Sequence, residues 1–292
     1  EAGHPIPDEN SFRATQAAVD SVRDLTAEDT VLFLISGGGS ALFELPLVPE
    51  EELRSVTRQL LASGADITET NTVRKRLSAV KGGKFAALCA PAHVFSIVLS
   101  DVLGDRLDMI ASGPSAPDRS TTEDAQRIAE KYALRLSAQT QALLSAPPAP
   151  FPGNVETRIT GSVRQLCLAA AERCRALGFT PHILTDCLSC TARDAGAFLA
   201  AIAHTHYRNG RKVAYLAGGE TVVRLTGTGL GGRNQELALA AAEDIAGLSN
   251  AAVFSIGSDG TDGPTDAAGG YVDGTTREAL LEKGIRIADV LQ

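Results

Sequence analysis

The chain has 292 residues, 44% hydrophobic and 21% charged, the composition of a globular protein long enough for two domains. A formal net charge of −8 at pH 7 argues against non-specific nucleic-acid binding, which needs a basic face, yet leaves room for a small anion held by local N–H groups, Arg and Lys. No apolar run can span a bilayer, and an odd count of five cysteines suits a reducing compartment, so a cytoplasmic protein with no membrane or nucleic-acid partner is expected.

Short β-rich runs alternate with helical patterns, the signature of an α/β fold. Ser11 to Leu25 reads as a helix with alanine and valine on one face. Thr30 to Ile35 is a continuous apolar strand of the kind buried in a parallel sheet. Pro49-Glu-Glu-Glu52 opens a helix, with proline near its first position and acids in its first turn. The basic run Asn71 to Lys84 places Asn71, Arg74, Ser78 and Lys81 on one helical face, closed by Gly82-Gly83; that face could hold a carboxylate or a transferred phosphate, or simply be solvated. His93 to Leu99 is a second buried strand and Thr121 to Ala133 a helix. The segment Pro147 to Gly153 interrupts both helix and sheet, so a boundary is expected there, giving domains 1–150 and 151–292.

Beyond it the rhythm resumes. A strand runs from Val155 to near Ile159, and Ser162 caps a helix with Val163, Leu166, Cys167, Ala170, Cys174 and Leu177 near the 3.6 period. A strand His182 to Leu184 and a helix Thr191 to His206 follow. Strands Val213 to Leu216 and Thr221 to Leu225 flank Ala217-Gly-Gly219. Then come a helix from Leu237 to Ala246, strands Ala252 to Ile256 and Gly269 to Val272, and a last helix from Thr275. Cys187 and Cys190 form a lone C-x-x-C without two further ligands at zinc spacing, and the five histidines do not cluster.

Four loops carry candidate chemistry, each at the end of an apolar strand, where ligands of α/β sheets bind. Ser36-Gly37-Gly38-Gly39-Ser40 suits an oxyanion or phosphate, or a tight turn with capping serines; no Lys-Ser/Thr pair follows to make it a Walker loop. Asp101, followed by Ala111-Ser-Gly-Pro-Ser115, could hold Mg²⁺ through its water shell or serve as a cap. Thr226 to Glu236 places Gly227, Gly229 and Gly232 before Arg233 at a predicted strand-to-helix turn, an anion cradle with a planar cation. Those glycines also match G-x-G-x-x-G, so an NAD(P) reading stays open, with Asp259 on the ribose. Asp259, Asp262 and Asp266 crowd one glycine-rich loop, where they would want a divalent ion, a substrate hydroxyl or neighbouring N–H groups; a solvated turn is the plain alternative.

Together these loops resemble the glycerate 2-kinase family, whose C-terminal part is the MOFRL domain. The segments that carry the resemblance are Gly3–Asp8, Ser36–Leu42, Ser63 through Gly83, Leu99–Pro114 with Asp118, Gly218–Thr221, Gly227–Glu236 and Asp259–Gly269. The resemblance implies two three-layer α/β/α domains, an N-terminal Rossmann-like parallel sheet and a C-terminal mixed sheet, with the MOFRL region from about residue 211. It implies transfer of the ATP γ-phosphate to the 2-hydroxyl of D-glycerate with Mg²⁺. Arg233 would neutralise developing charge, with Asp259 and Asp262 as its catalytic companions. Asp101, Asp259 and Asp266 would hold the metal, Arg74 or Lys81 would grip the carboxylate, and Asn71 and Glu220 would line the site. Family members look longer at both ends, so a fragment is expected, with an N-terminal portion missing. Two rivals remain, a hydroxypyruvate reductase using NAD(P) and a non-catalytic glycerate- or nucleotide-binding module; a homodimer is left open.

Overall fold

The structure, a computed structural model, describes every residue except Glu1, His4, Pro5 and Asn209. It divides into two compact units, Glu1–Ser162 and Val163–Gln292. The first unit contains α1 (Glu9–Ser21), β1 (Thr30–Ile35), α2 (Gly39–Leu42), α3 (Glu50–Ala62), α4 (Ile67–Leu77), α5 (Lys84–Leu88) and β2 (His93–Leu99). A 3-10 turn Ile110–Ser112, α6 (Thr122–Lys131), α7 (Ala138–Ser145) and β3 (Val155–Gly161) complete it.

β1, β2 and β3 form a parallel sheet in that order. The division between units lies beyond the proline-rich segment rather than in it. The reason is the ladder from Val94↔Val155 to Leu99↔Gly161, which ties β3 to β2. Phe33, Phe43 and Phe85 pack with ring centroids 4.7–5.5 Å apart beneath the sheet, beside Val80, Cys89 and Val94. The opposite face of β1 is open, with Leu32 62% and Leu34 68% exposed. A second cluster joins α3, α4, α6 and α7 through Leu53, Val56, Leu60, Val73, Leu77, Ile128 and Leu144.

Helix starts follow their caps. Asp8, Asp66 and Thr121 each accept from the third backbone N–H of α1, α4 and α6 and complete a capping box. The basic run departs from the single helix expected of it. α4 stops at Leu77, and Ser78 is extended and bridges to Pro46, so Ser78 and Lys81 do not continue the face of Asn71 and Arg74. The start of the N-terminal Gly3–Asp8 motif lies partly outside the described residues, at His4 and Pro5.

The second unit contains α8 (Val163–Ala176), β4 (Thr180–Leu188), α9 (Ala192–His206), β5 (Val213–Gly219), α10 (Arg233–Asp244), β6 (Ala252–Ile256), β7 (Gly269–Asp273), α11 (Thr276–Glu282) and α12 (Ile287–Val290). Its strands form two separate pairs among the described residues, β4 with β5 parallel and β6 with β7 antiparallel. The alanines are explained by packing. Ala192, Ala195 and Ala200 on α9 are buried with Ala238, Ala241 and Ala242 on α10, and a Cβ on Gly196 would overlap the Leu237 carbonyl, so the helices touch backbone to backbone. The expected strand Thr221–Leu225 is not formed. Only Val222 bridges to Thr191, and Leu225 is 87% exposed, with no neighbouring strand to cover it.

Candidate active site

In the first unit, β1 and β2 lie side by side and parallel, so the loops after Ile35 and Leu99 emerge at one sheet edge. That brings the glycine turn and Asp101 together. A Cβ on Gly37 would come within 2.8 Å of the Asp101 carboxylate, a close approach only glycine permits. Ser36, Gly37 and Asp101 are exposed. Among the described residues, the N–H groups of Gly37, Gly38, Gly39 and Ser40 have no acceptor.

The turn is braced from below by a strained segment. Ala111 and Ser112 hold φ of 52° and 61°, and Gly113 follows at 66°. Non-glycine residues resist this left-handed backbone, at a cost of about 1–3 kcal/mol each, and such strain clusters at functional sites. Ala111 sits against the turn, so that a Cβ on Gly39 would be 2.6 Å from its methyl group. Ser112 Oγ donates to Asn71 Oδ1 at 3.0 Å and lies 3.2 Å from Ser40 Oγ. Asn71 is therefore buried beneath the turn rather than presented to a ligand.

Arg74 and Lys81 are also used inside the fold, which corrects the reading of them as a grip for a substrate carboxylate. Arg74 Nη2 donates to the Ser40 carbonyl at 2.8 Å; Lys81 Nζ, fully buried, donates to the Ser40 and Phe43 carbonyls at 2.9 and 3.0 Å. Glu44 Oε2 stands 3.6 Å from Lys81 and 3.8 Å from Arg74. Burial lowers the Arg74 guanidinium and brings the Lys81 ammonium down to about 8, against the pull of Glu44. Glu44 escaped the sequence analysis; its signal was an acid placed inside the apolar stretch Leu42–Leu47.

In the second unit, α10 begins at Arg233, four residues before the expected Leu237. Its N-terminus already holds an anion. Asp262, 2% exposed, accepts from the backbone N–H of Asn234 and Gln235 at 3.0 and 2.8 Å and from both side-chain amides. Burial opposes the charge, but these hydrogen bonds outweigh it and hold the carboxyl below its ordinary value. Asp262 thus occupies the helix end that sequence assigned to phosphate and caps α10. Gly232 must be glycine because a Cβ there would overlap that carboxylate.

Arg233 remains half-exposed and pairs with Glu220 at 2.8 Å, at the carboxyl end of β5. Asp259 is exposed, and its carboxyl is lowered first by the Thr261 backbone N–H at 3.1 Å and, more weakly, by Arg233. Gly227 and Gly229 lie on an exposed stretch. Asp266 is exposed as well. Among the described residues, no three His, Cys, Asp or Glu side chains gather as a metal cluster. Asp101 belongs to the first unit, and Asp259 and Asp266 to the second. Among the described residues, no helix is long and apolar enough to cross a membrane.

These features define an α/β protein with a glycine turn at the edge of its parallel sheet. Comparison with known proteins narrows the class. A profile described as a domain of unknown function, DUF4147, matches residues 1–145, and the MOFRL family matches residues 213–292. The chain is 50% identical to the D-glycerate 2-kinase of Thermotoga maritima over 97% of its own length and 70% of that protein. It is 43% identical to the glycerate 2-kinase of Pyrococcus horikoshii over its whole length and 70% of that relative. The crystal structure of the Thermotoga maritima glycerate kinase superposes with a TM-score of 0.95 at 49% identity, covering 100% of this chain and 72% of that one. The chain belongs to the glycerate 2-kinase family.

Proposed function

We propose that the protein is an ATP-dependent kinase that transfers the γ-phosphoryl group to the 2-hydroxyl of D-glycerate. The observation that carries the site assignment is the pairing at one sheet edge of an exposed carboxylate, Asp101, with a glycine turn whose N–H groups are unspent. Phosphoryl transfer needs positioning and charge stabilisation more than covalent chemistry, and oriented N–H groups supply both.

Free N–H donors suit phosphate oxygens, and a lone exposed carboxylate beside them suits Mg²⁺, which commonly takes one or two carboxylates plus phosphate and water. Asp101 would hold that ion in the first unit, with Asp259 and Asp266 as the acidic groups of the second. The ion would supply charge neutralisation on the phosphate oxygens. Arg233, aligned by Glu220, provides a cation for a phosphate or carboxylate oxygen. Gly229 has open space around it for an anion, whereas a Cβ on Gly227 would lie 3.3 Å from the Gln292 carbonyl oxygen.

The reductase reading loses its physical basis with the missing strand. A dinucleotide fingerprint needs a strand running into the glycine turn, and residues 223–232 form none. Coupled measurement of ADP formation with D-glycerate, followed by identification of the phosphorylated product, tests the proposal. Oxidation of NADH by hydroxypyruvate in the absence of ADP formation would overturn it.

A further inference from the structure

Lys81 is unusual for a lysine. It has no exposed surface, and it spends its hydrogen bonds on two main-chain carbonyls rather than on its carboxylate neighbour. Those carbonyls, Ser40 and Phe43, mark where the glycine turn ends and where α2 ends. Arg74 reaches the same Ser40 carbonyl from α4. One carbonyl oxygen thus accepts from two cations, a charge-assisted arrangement of about twice ordinary strength per bond. Glu44 faces both cations, and its Oε2 has no hydrogen-bond donor of its own, so it balances charge without competing for the carbonyl.

We propose that Lys81, together with Arg74, is a positioning residue. By fixing the Ser40 carbonyl, in the peptide that closes the turn, it anchors the end of the segment whose Gly37–Ser40 N–H groups face the phosphoryl group. The inference rests on the kinase reading for the identity of that group. It does not require Lys81 to touch a substrate. Loss of one anchor lets the Ser40–Ala41 peptide rotate, and misplacement on the scale of 1 Å can cost about 10²-fold in rate.

Lys84 provides a matched control. It is half-buried rather than fully buried, its ammonium is likewise brought down to about 8 by burial, and it likewise donates to two carbonyls, those of Lys75 and Ser78, which lie outside the turn. The experiment compares wild type, Lys81→Met and Lys84→Met for thermal melting, for kcat and KM with ATP and D-glycerate, and for binding of inorganic phosphate by calorimetry. Both variants are expected to lower the melting temperature. Only Lys81→Met is expected to lose kcat/KM by about tenfold or more and to weaken phosphate binding. Equal kinetic and phosphate losses in the two variants, or none in Lys81→Met, would overturn the inference.

If Lys81→Met does not fold, Arg74→Lys keeps the charge and removes the fork that reaches Ser40. It is expected to show the same selective loss, and normal kinetics would overturn the inference. Absence of ADP formation in the wild type would defeat the kinase reading alone, the inference then being judged on phosphate affinity. A wild type that binds no phosphate would defeat the inference.

Discussion

The Asp262 carboxylate lies so close to Gly232 that the two positions exclude any side chain at the latter. The contact follows from what Asp262 does, which is to cap α10 from a loop distant in sequence. Gly232→Ala is therefore expected to displace the carboxylate and weaken the cap by about 1–3 kcal/mol. Urea unfolding measures the loss.

Asp262→Ala is expected to cost about 2–3 kcal/mol, because it leaves two backbone donors and two side-chain amides of α10 without their charged partner. The sign of the pH effect follows from linkage. The folded carboxyl lies below its ordinary value of 3.8, so its contribution is full above that value and is lost as pH falls through the folded value. Wild type should lose stability on acidification below about pH 4 more steeply than Asp262→Ala.

Arg233→Ala should leave the melting curve nearly unchanged, since an exposed pair with Glu220 contributes about 0–1 kcal/mol. Turnover should fall by about 10³ or more if Arg233 meets the charge that develops in transfer. The coupled ADP assay reads this directly.

Asp101→Asn preserves shape beside Gly37 and removes the charge. The Mg²⁺ concentration for half-maximal activity should rise about tenfold or more, equivalent to ~1.4 kcal/mol in ion binding. Titration of activity with Mg²⁺ distinguishes this from a general loss of kcat at saturating metal.

Gly39→Ala tests the brace beneath the turn. A methyl group there meets Ala111 at 2.6 Å, and Ala111 is already held left-handed. Overpacking is expected to cost about 1–3 kcal/mol, with a fall in kcat/KM as the turn shifts. Denaturation midpoints and steady-state kinetics on the same preparation check both.

The strands were legible because their signal is local. Thr30–Ile35, His93–Leu99 and Ala252–Ile256 are predominantly apolar runs and form as expected, whereas Thr221–Leu225, interrupted by Arg224, finds no partner strand and stays irregular. The positions of the Ser36–Ser40 turn and of Asp101 were likewise readable, since the end of a parallel strand places such residues at a sheet edge whatever the remaining fold.

Charged residues behaved otherwise. Arg74, Lys81 and Asp262 are residue types that a binding site would use, and nothing in their spacing says whether they face a ligand or the chain's own backbone. That choice was made by elements far apart in sequence, with Ser40 and Phe43 offering carbonyls to Lys81, and Asn234 and Gln235 offering N–H groups to Asp262. The sequence by itself determined the α/β alternation, the family motifs and the places where anions can be met, because periodicity and glycine act over a few neighbouring residues. Only the tertiary structure decided which charges remain for a substrate, because a buried ion must be satisfied by whatever packs around it.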